Sequence, residues 1–126
     1  METNMVGWFE IPVTDMARAR SFYERVFGIE IQVHRMNQLE MGWFPSAQGK
    51  PGAAGSLVKH EGFYYPDREK GPVLYFSCTD LQEQLDRIPG AGGEILQPKK
   101  LIAEGMGYMA LFTDTEGNRL ALYSQK

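Results

Sequence analysis

The sequence reads Val-Thr-Asp-Met at residues 13–16 and Cys-Thr-Asp-Leu at residues 78–81, with each residue 65 positions after its counterpart. Each quartet ends an apolar run with the alternating period of a strand and begins a run with the 3–4 spacing of an amphipathic helix. Asp15 or Thr14 in the first quartet and Asp80 in the second suit a helix N-cap, because a short side-chain oxygen accepts a hydrogen bond from an unpaired helical N–H. The chain is therefore predicted to use one small module twice.

The elements that follow each quartet have the same order. A glycine ends each predicted helix, Gly28 in the first module and the run 90–93 in the second, where Asp80 and Glu83 also form a capping-box pattern. Four strands are predicted in each module, and they cover residues 6–13, 29–34, 38–44 and 53–59 in the first and 72–78, 94–97, 107–113 and 119–124 in the second.

This order predicts an α+β fold with two tandem β-α-β-β-β modules, whose curved mixed sheets surround a concave cleft and carry the helices outside. We expect a single domain over residues 1–126. Module one covers about 5–60, a charged and aromatic linker about 61–71, and module two about 72–126.

Composition narrows the class of function. The chain has 126 residues, of which 43% are hydrophobic and 23% charged, as in ordinary globular domains. A net charge of −3 gives no basic surface for nucleic acid or an anionic membrane. Cys78 is the only cysteine, and no apolar run approaches the roughly 18 residues of a membrane span. We therefore expect a cytoplasmic protein with no disulfide, no nucleic-acid partner and no membrane partner.

Three motifs carry a resemblance to a known family. They are Phe-Glu-Ile-Pro-Val-Thr-Asp at residues 9–15, Phe-Tyr-Glu-Arg-Val-Phe-Gly at 22–28 and Asp-Thr-Glu-Gly-Asn-Arg at 114–119. With them the chain resembles the vicinal oxygen chelate superfamily of glyoxalase I, bleomycin-resistance proteins and extradiol dioxygenases, and more narrowly the group of predicted enzymes related to lactoylglutathione lyase. The resemblance covers essentially the whole chain, and it implies the two-module fold and a homodimer.

The resemblance also implies where a metal would bind. Relatives with enzymatic activity hold one divalent ion with His, Gln or Glu from the first and last strand of each module, and the matching positions here are Trp8, Ser56, Val73 and Ala121. Indole, isopropyl and methyl groups donate no electron pair to a metal, and a single serine hydroxyl is a poor ligand. We therefore expect no metal and no other cofactor. His34 and His60 are interpreted as surface or rim histidines unconnected to metal.

Alternation along the strands predicts which side chains line the cleft. Residues that share parity with the four lost ligand positions form a mixed aromatic and polar set, whereas the opposite parity is almost entirely apolar, as a face beneath helices should be. The predicted cleft residues are Trp8, Glu10, Ser56, Val58, Val73, Tyr75, Arg119, Ala121 and Tyr123.

Glu10 allows two interpretations. A carboxylate among aromatic rings has a raised pKa and suits a general base, but it equally suits a structural ion pair with Arg119 or a hydrogen bond to a tyrosine. Three functions follow: binding of a small, partly aromatic or apolar molecule in the cleft between modules; a lyase or dioxygenase-related enzyme with altered or metal-free chemistry that uses Glu10 as base; or an interaction module. The first is the one we favour.

Overall fold

The computed structural model describes residues 2–126 and has the predicted order of elements. The ten elements are β1 (Trp8–Pro12), α1 (Met16–Phe27), β2 (Gln32–Met36), β3 (Leu39–Trp43), β4 (Ala54–Lys59), β5 (Tyr75–Ser77), α2 (Leu81–Ala91), β6 (Glu94–Ala103), β7 (Gly107–Thr113) and β8 (Arg119–Ser124). The α+β class is confirmed. Neither helix has the length and hydropathy that a bilayer crossing within residues 2–126 would need.

Helix α1 begins and ends as its sequence predicts. The Asp15 side chain accepts a hydrogen bond from the Arg18 N–H at 3.0 Å, and Gly28 adopts the left-handed conformation with φ 65°. One face is buried and consists of Met16, Ala19, Phe22, Tyr23 and Val26. The 3–4 spacing of apolar residues therefore sets the face that packs against the sheets.

Helix α2 differs from the prediction at its N-terminal cap. Asp80 caps it through the Gln82 N–H at 3.0 Å, whereas the Glu83 N–H bonds to the Asp80 carbonyl, so the expected side-chain bond of a capping box to residue 83 is wrong. The helix continues through Pro89 to Ala91, and Gly92, within the predicted run 90–93, ends it with φ 104°. A left-handed C-cap favours glycine because glycine has no Cβ to clash.

The strands form two four-stranded sheets with orders β1-β4-β3-β2 and β5-β8-β7-β6. In each, the first strand pairs in parallel with the last strand of its module, and the other pairs are antiparallel. Strand β5 is shorter than the predicted 72–78, and β6 runs beyond the predicted 94–97. Strand β6 reaches Ala103 because its pairing with β7 resumes after each of three register shifts.

The two modules share one hydrophobic core. It contains residues from both helices and from strands of both sheets, including Phe22 and Tyr23 of α1, Leu85 and Ile88 of α2, and Phe112 of β7. The helices also meet directly, since Arg25 donates to the Gly90 carbonyl at 2.6 Å and Arg87 to the Val26 carbonyl at 3.1 Å. The modules of this chain are therefore packed against each other through their helical sides.

Candidate functional site

The predicted cleft residues lie in the sheet of each module, except Val73, which precedes β5. In the first, Trp8 pairs with Ala54 and Glu10 with Ser56 across the parallel strands β1 and β4. In the second, Tyr75 pairs with Ala121 across β5 and β8. The residues of opposite parity, Ile11, Leu57, Leu120 and Leu122, belong to the shared core. Both sheets therefore turn one face to the core and the other, which we call the concave face, away from it.

Glu10 is held by two neutral donors. The Tyr64 hydroxyl donates to its Oε1 at 2.6 Å, and the Trp8 indole N–H donates to its Oε2 at 3.3 Å. The side chain is exposed, so the desolvation that the general-base interpretation assumed is not found. The tyrosine alternative holds, although the tyrosine comes from the linker rather than from a strand.

Arg119 contacts the backbone of the linker rather than Glu10. Its Nη2 donates to the Gly71 carbonyl at 3.3 Å, and its buried Nε has no hydrogen-bond partner among residues 2–126. The ion pair with Glu10, one of the two structural alternatives, is therefore not formed. Nearby on the same strand, Tyr123 donates to the Met106 carbonyl at 3.0 Å.

The four positions that correspond to metal ligands do not suit a metal. Ser56 and Ala121 are fully buried, and the Ser56 hydroxyl already donates to the Leu57 carbonyl at 2.6 Å. The Trp8 N–H is a donor, and Val73 has no polar side-chain atom. Across residues 2–126, no group of three or more His, Cys, Asp or Glu side chains is placed to hold an ion. These residues therefore do not form a metal site that could take part in a reaction.

Two aromatic residues of the concave face are not among the predicted cleft residues. Trp43 pairs with Ser56 across β3 and β4, and its ring lies 4.2 Å from that of His34. Tyr64 reaches Glu10 from the linker, 54 positions away in sequence. Trp43 can be assigned to the concave face only from the antiparallel register of β3 with β4, which places it beside Ser56. No local signal points to Tyr64, because its contact depends on the path of the linker.

The motif near the end of the chain joins the two modules. Its turn, residues 114–118, packs on the junction between β1 and α1. The Tyr23 hydroxyl donates to Asp114 at 2.6 Å, and the Asn118 amide donates to the Pro12 carbonyl at 2.8 Å. Burial raises the pKa of Asp114 even though several hydrogen bonds act against it. These groups are mutually satisfied, so they hold structure rather than face a ligand.

Glu116 completes this inter-module contact. Its fully enclosed carboxylate accepts hydrogen bonds from the Thr14 and Asp15 N–H groups, both at 2.9 Å, and from Arg18 Nε at 2.7 Å. Burial acts to raise the pKa of Glu116, but the hydrogen bonds from Arg18 and from the two N–H groups outweigh it, and the pKa is lowered to about 2. A carboxylate at a helix N-terminus is favoured in the same way.

Cys78 packs against the core on the helical side of β5. Burial raises the pKa of its thiol to about 11, so very little thiolate exists near neutral pH. We therefore expect the thiol to react slowly, in keeping with its helix-facing parity.

Comparison with known proteins identifies the family. A family model described as the Glyoxalase/Bleomycin resistance protein/Dioxygenase superfamily matches residues 5–122, and the chain therefore belongs to that superfamily, as its motifs predict.

Individual relatives are distant. The chain is 27% identical over 121 residues to a glyoxylase-like domain-containing protein of Didymella fabae, and the match covers 93% of this chain and 91% of that protein. It is 24% identical to the anthracycline biosynthesis protein DnrV of Streptomyces peucetius, over 93% of this chain and 46% of DnrV. The solved structure of TnmS3, an antibiotic binding protein from Streptomyces sp. CB03234, has a TM-score of 0.72 at 22% identity, with 100% and 99% of the two chains covered. The chain spans about half the length of the anthracycline relatives and of the maize glyoxalase I structures that share its fold.

Proposed function

We propose that this protein binds a small, planar, largely apolar molecule on the concave faces of its sheets, and that it does so without a metal ion. The observation that carries the proposal is the exposure of large aromatic side chains there: Trp8 is 45% exposed, Trp43 42% and Tyr75 55%. Aromatic rings left in water offer a large hydrophobic gain to any flat molecule that covers them.

On the first sheet, two tryptophans flank a row of small side chains. Trp8 lies beside Ala54 and Trp43 beside Ser56, so β4 separates the two indoles. Two strand spacings across the sheet and an offset of two residues along β4 place their backbones about 12 Å apart. Because Ser56 is already fully buried, a planar molecule binds against the indole rings rather than against the floor of the sheet.

Glu10 supplies a polar anchor beside these rings. Each of its carboxylate oxygens accepts one hydrogen bond within the chain, from Tyr64 and from Trp8. A carboxylate has about four acceptor sites, so lone pairs remain for a donor on the ligand. The favoured ligand is therefore a planar ring system that carries a hydroxyl or amino group.

The names of two relatives support this class of ligand. DnrV is described as an anthracycline biosynthesis protein and TnmS3 as an antibiotic binding protein. The first description names a class of compound and the second a binding role, and the aromatic lining here suits a molecule of the anthracycline kind.

The absence of a metal is part of the proposal. It is supported by the donor groups present at Trp8, Ser56, Val73 and Ala121, none of which is a suitable ligand. We also propose a homodimer in a reducing, cytoplasmic compartment. The free Cys78 thiol fits such a compartment, and measurement of the molar mass in solution by light scattering tests the dimer.

Tryptophan fluorescence tests the binding. We expect 1,4-dihydroxyanthraquinone, a planar hydroxylated probe, to quench the emission saturably. Because Trp8 and Trp43 are the only tryptophans, Trp8→Ala and Trp43→Ala each keep one reporter, and each is expected to weaken the affinity at least tenfold. Leu101→Ala is the matched control, since Leu101 is 51% exposed on β6 of the second sheet.

Two results would contradict the proposal: equal affinity of the two tryptophan variants and the control, or a stoichiometric transition metal in elemental analysis of the purified protein.

Catalysis with Glu10 as base is the second candidate, and it is favoured by one observation. The Tyr64 hydroxyl holds the exposed carboxylate at 2.6 Å, which orients it toward a bound molecule. If Glu10→Gln keeps the fold and the affinity for the probe but loses turnover of an α-dicarbonyl substrate, catalysis with Glu10 as the base is supported. If no turnover of any such substrate is found with the wild-type chain, binding alone stands.

A further inference from the structure

We infer a second binding site, separate from the concave faces, in a hollow between the modules that takes a neutral aromatic molecule of one or two rings. The hollow has a volume of about 270 Å³, and four phenylalanines line it: Phe9, Phe27, Phe44 and Phe76. We call it the four-phenylalanine hollow. This site does not depend on the function proposed above, because its lining contains none of the concave-face aromatic residues and shares with those faces only the small residues Ala54 and Ser77.

The four rings face each other but are left partly uncovered. The centroids of Phe27 and Phe76 lie 4.9 Å apart, and those of Phe9 and Phe44 lie 5.5 Å apart. All four are only partly buried, whereas Phe22 and Phe112 of the core are 1% and 0% exposed. The four phenylalanine rings are therefore partly exposed to one shared space.

A glycine places one wall of the hollow. A Cβ built on Gly55 would lie 2.4 Å from the Phe9 ring, so the ring rests directly on the backbone of β4. The Phe9 ring therefore occupies the space that a side chain at position 55 would take, and it forms this wall of the hollow.

Comparison of the two modules explains why this junction contains an open space and the equivalent junction at residues 114–118 does not. At the 65-residue offset, Glu116 and Asn118 of the turn that joins the modules correspond to Pro51 and Ala53. Asn118 bonds to the Pro12 carbonyl, and the counterpart of Pro12 is Ser77, which lines the hollow together with Ala53. Proline and alanine carry no group able to make the equivalent polar contacts. One of the two equivalent junctions is therefore closed by hydrogen bonds and the other is left apolar and open.

The lining selects the chemistry of the ligand. Among the described residues around the hollow, no side chain is charged, and the Ser77 hydroxyl is the only polar one. Burial of a charge without a partner is costly, so an ionised molecule is disfavoured. An apolar cavity of about 150 Å³ is enough to bind benzene, and the larger space here accommodates one or two rings.

Methyl resonances distinguish this site from the concave faces. We expect 2-naphthol to shift the methyl signals of Ile29 and Ala53, which line the hollow, in a saturable way. The methyl signals of Val58 and Ala121, on the concave faces, are expected to stay unchanged. The charged analogue 2-naphthalenesulfonate is expected to bind at least tenfold more weakly.

Blocking variants complete the test. Ala53→Phe places a ring inside the hollow and is expected to weaken 2-naphthol binding at least tenfold, whereas Ala47→Phe, in the same loop but exposed and outside the lining, is expected to leave it unchanged. Ser77→Leu at the exposed rim is a second blocking variant in case Ala53→Phe does not fold.

The inference is overturned if the shifts are confined to Val58 and Ala121, or if both blocking variants bind 2-naphthol as the wild type does. It is also overturned if either variant changes the molar mass in solution, since a second copy of the chain would then cover the hollow. Trp8→Ala lowers binding on the concave face without affecting 2-naphthol, so the two proposals fail independently.

Discussion

Replacement of Glu116 by glutamine tests whether the 114–118 turn holds the modules together. The carboxylate is fully enclosed and accepts hydrogen bonds from the N–H groups of Thr14 and Asp15 and from the guanidinium of Arg18. Glutamine has the same shape, but its amide nitrogen replaces the oxygen that faces Arg18 Nε at 2.7 Å. A donor then faces a donor, and the charge at the N-terminus of α1 is lost.

The cost follows from the kind of hydrogen bond removed. Bonds to a charged group contribute about 1.5–3 kcal/mol each after the exchange with water. Because glutamine keeps one oxygen for the two backbone N–H groups, we expect Glu116→Gln to lower the free energy of unfolding by about 2–3 kcal/mol. For a chain of this length that corresponds to a fall of roughly 10 °C in the melting temperature.

The pH dependence gives an independent signature. The pKa of Glu116 is lowered from 4.5 to about 2 in the folded chain. A group whose folded pKa is depressed stabilises the fold fully above its unfolded pKa and loses that contribution as the pH falls toward the folded one. The stability difference between wild type and Glu116→Gln is therefore expected to be full above about pH 4.5 and to narrow as the pH falls toward 2.

Urea unfolding at pH 7 and at pH 3 measures both effects. Glu104→Gln is the matched control, because Glu104 is exposed in the turn between β6 and β7. The reasoning fails if Glu116→Gln changes the unfolding free energy at pH 7 by less than about 0.5 kcal/mol, the range of ordinary surface substitutions. It fails equally if the difference from wild type is the same at both pH values.

Three further predictions concern the core and its edges. Tyr23→Phe removes the donor at 2.6 Å from the buried carboxylate of Asp114, and we expect a loss of about 1–3 kcal/mol in urea unfolding. Gly93→Ala is expected to fold poorly, because the new Cβ would lie 2.5 Å from a backbone oxygen of β7. Gly90→Ala meets only the flexible tip of a side chain at 3.4 Å, so we expect it to raise the free energy of unfolding by about 0.5–1 kcal/mol through helix α2. Circular-dichroism melts of the two variants compare these effects. Cys78, with a pKa raised to about 11 by burial, should react with a disulfide reagent at pH 8 far more slowly in the native chain than in urea, and equal rates would contradict its burial.

Much of the fold is predictable from local patterns. The bounds of β7 and β8 agree with their alternating apolar residues, and Asp15 and Gly28 begin and end α1 where their chemistry favours it. The errors fall where pairing decides the outcome. Strand β6 continues to Ala103 because β7 offers partners along its length, a property of the neighbouring strand.

The candidate site is predictable only in part. Parity alone assigns Trp8, Glu10 and Tyr75 to one face, because side chains alternate along any strand. Of the two structural alternatives for Glu10, the ion pair with Arg119 does not form, since the two residues lie on different sheets and an ion pair needs them within about 4 Å. Tyr64 takes that place from a linker whose path no periodicity encodes.

The sequence by itself determined the repeated module, the caps of the helices and the face that each strand presents, because each of these depends on residues a few positions apart. Only the tertiary structure decided that Glu116 bonds to the start of α1 and that four phenylalanines surround one open hollow. Those contacts join segments far apart in the chain, and their distances are set by how two nearly equivalent modules pack, with polar side chains at one junction and proline and alanine at the other.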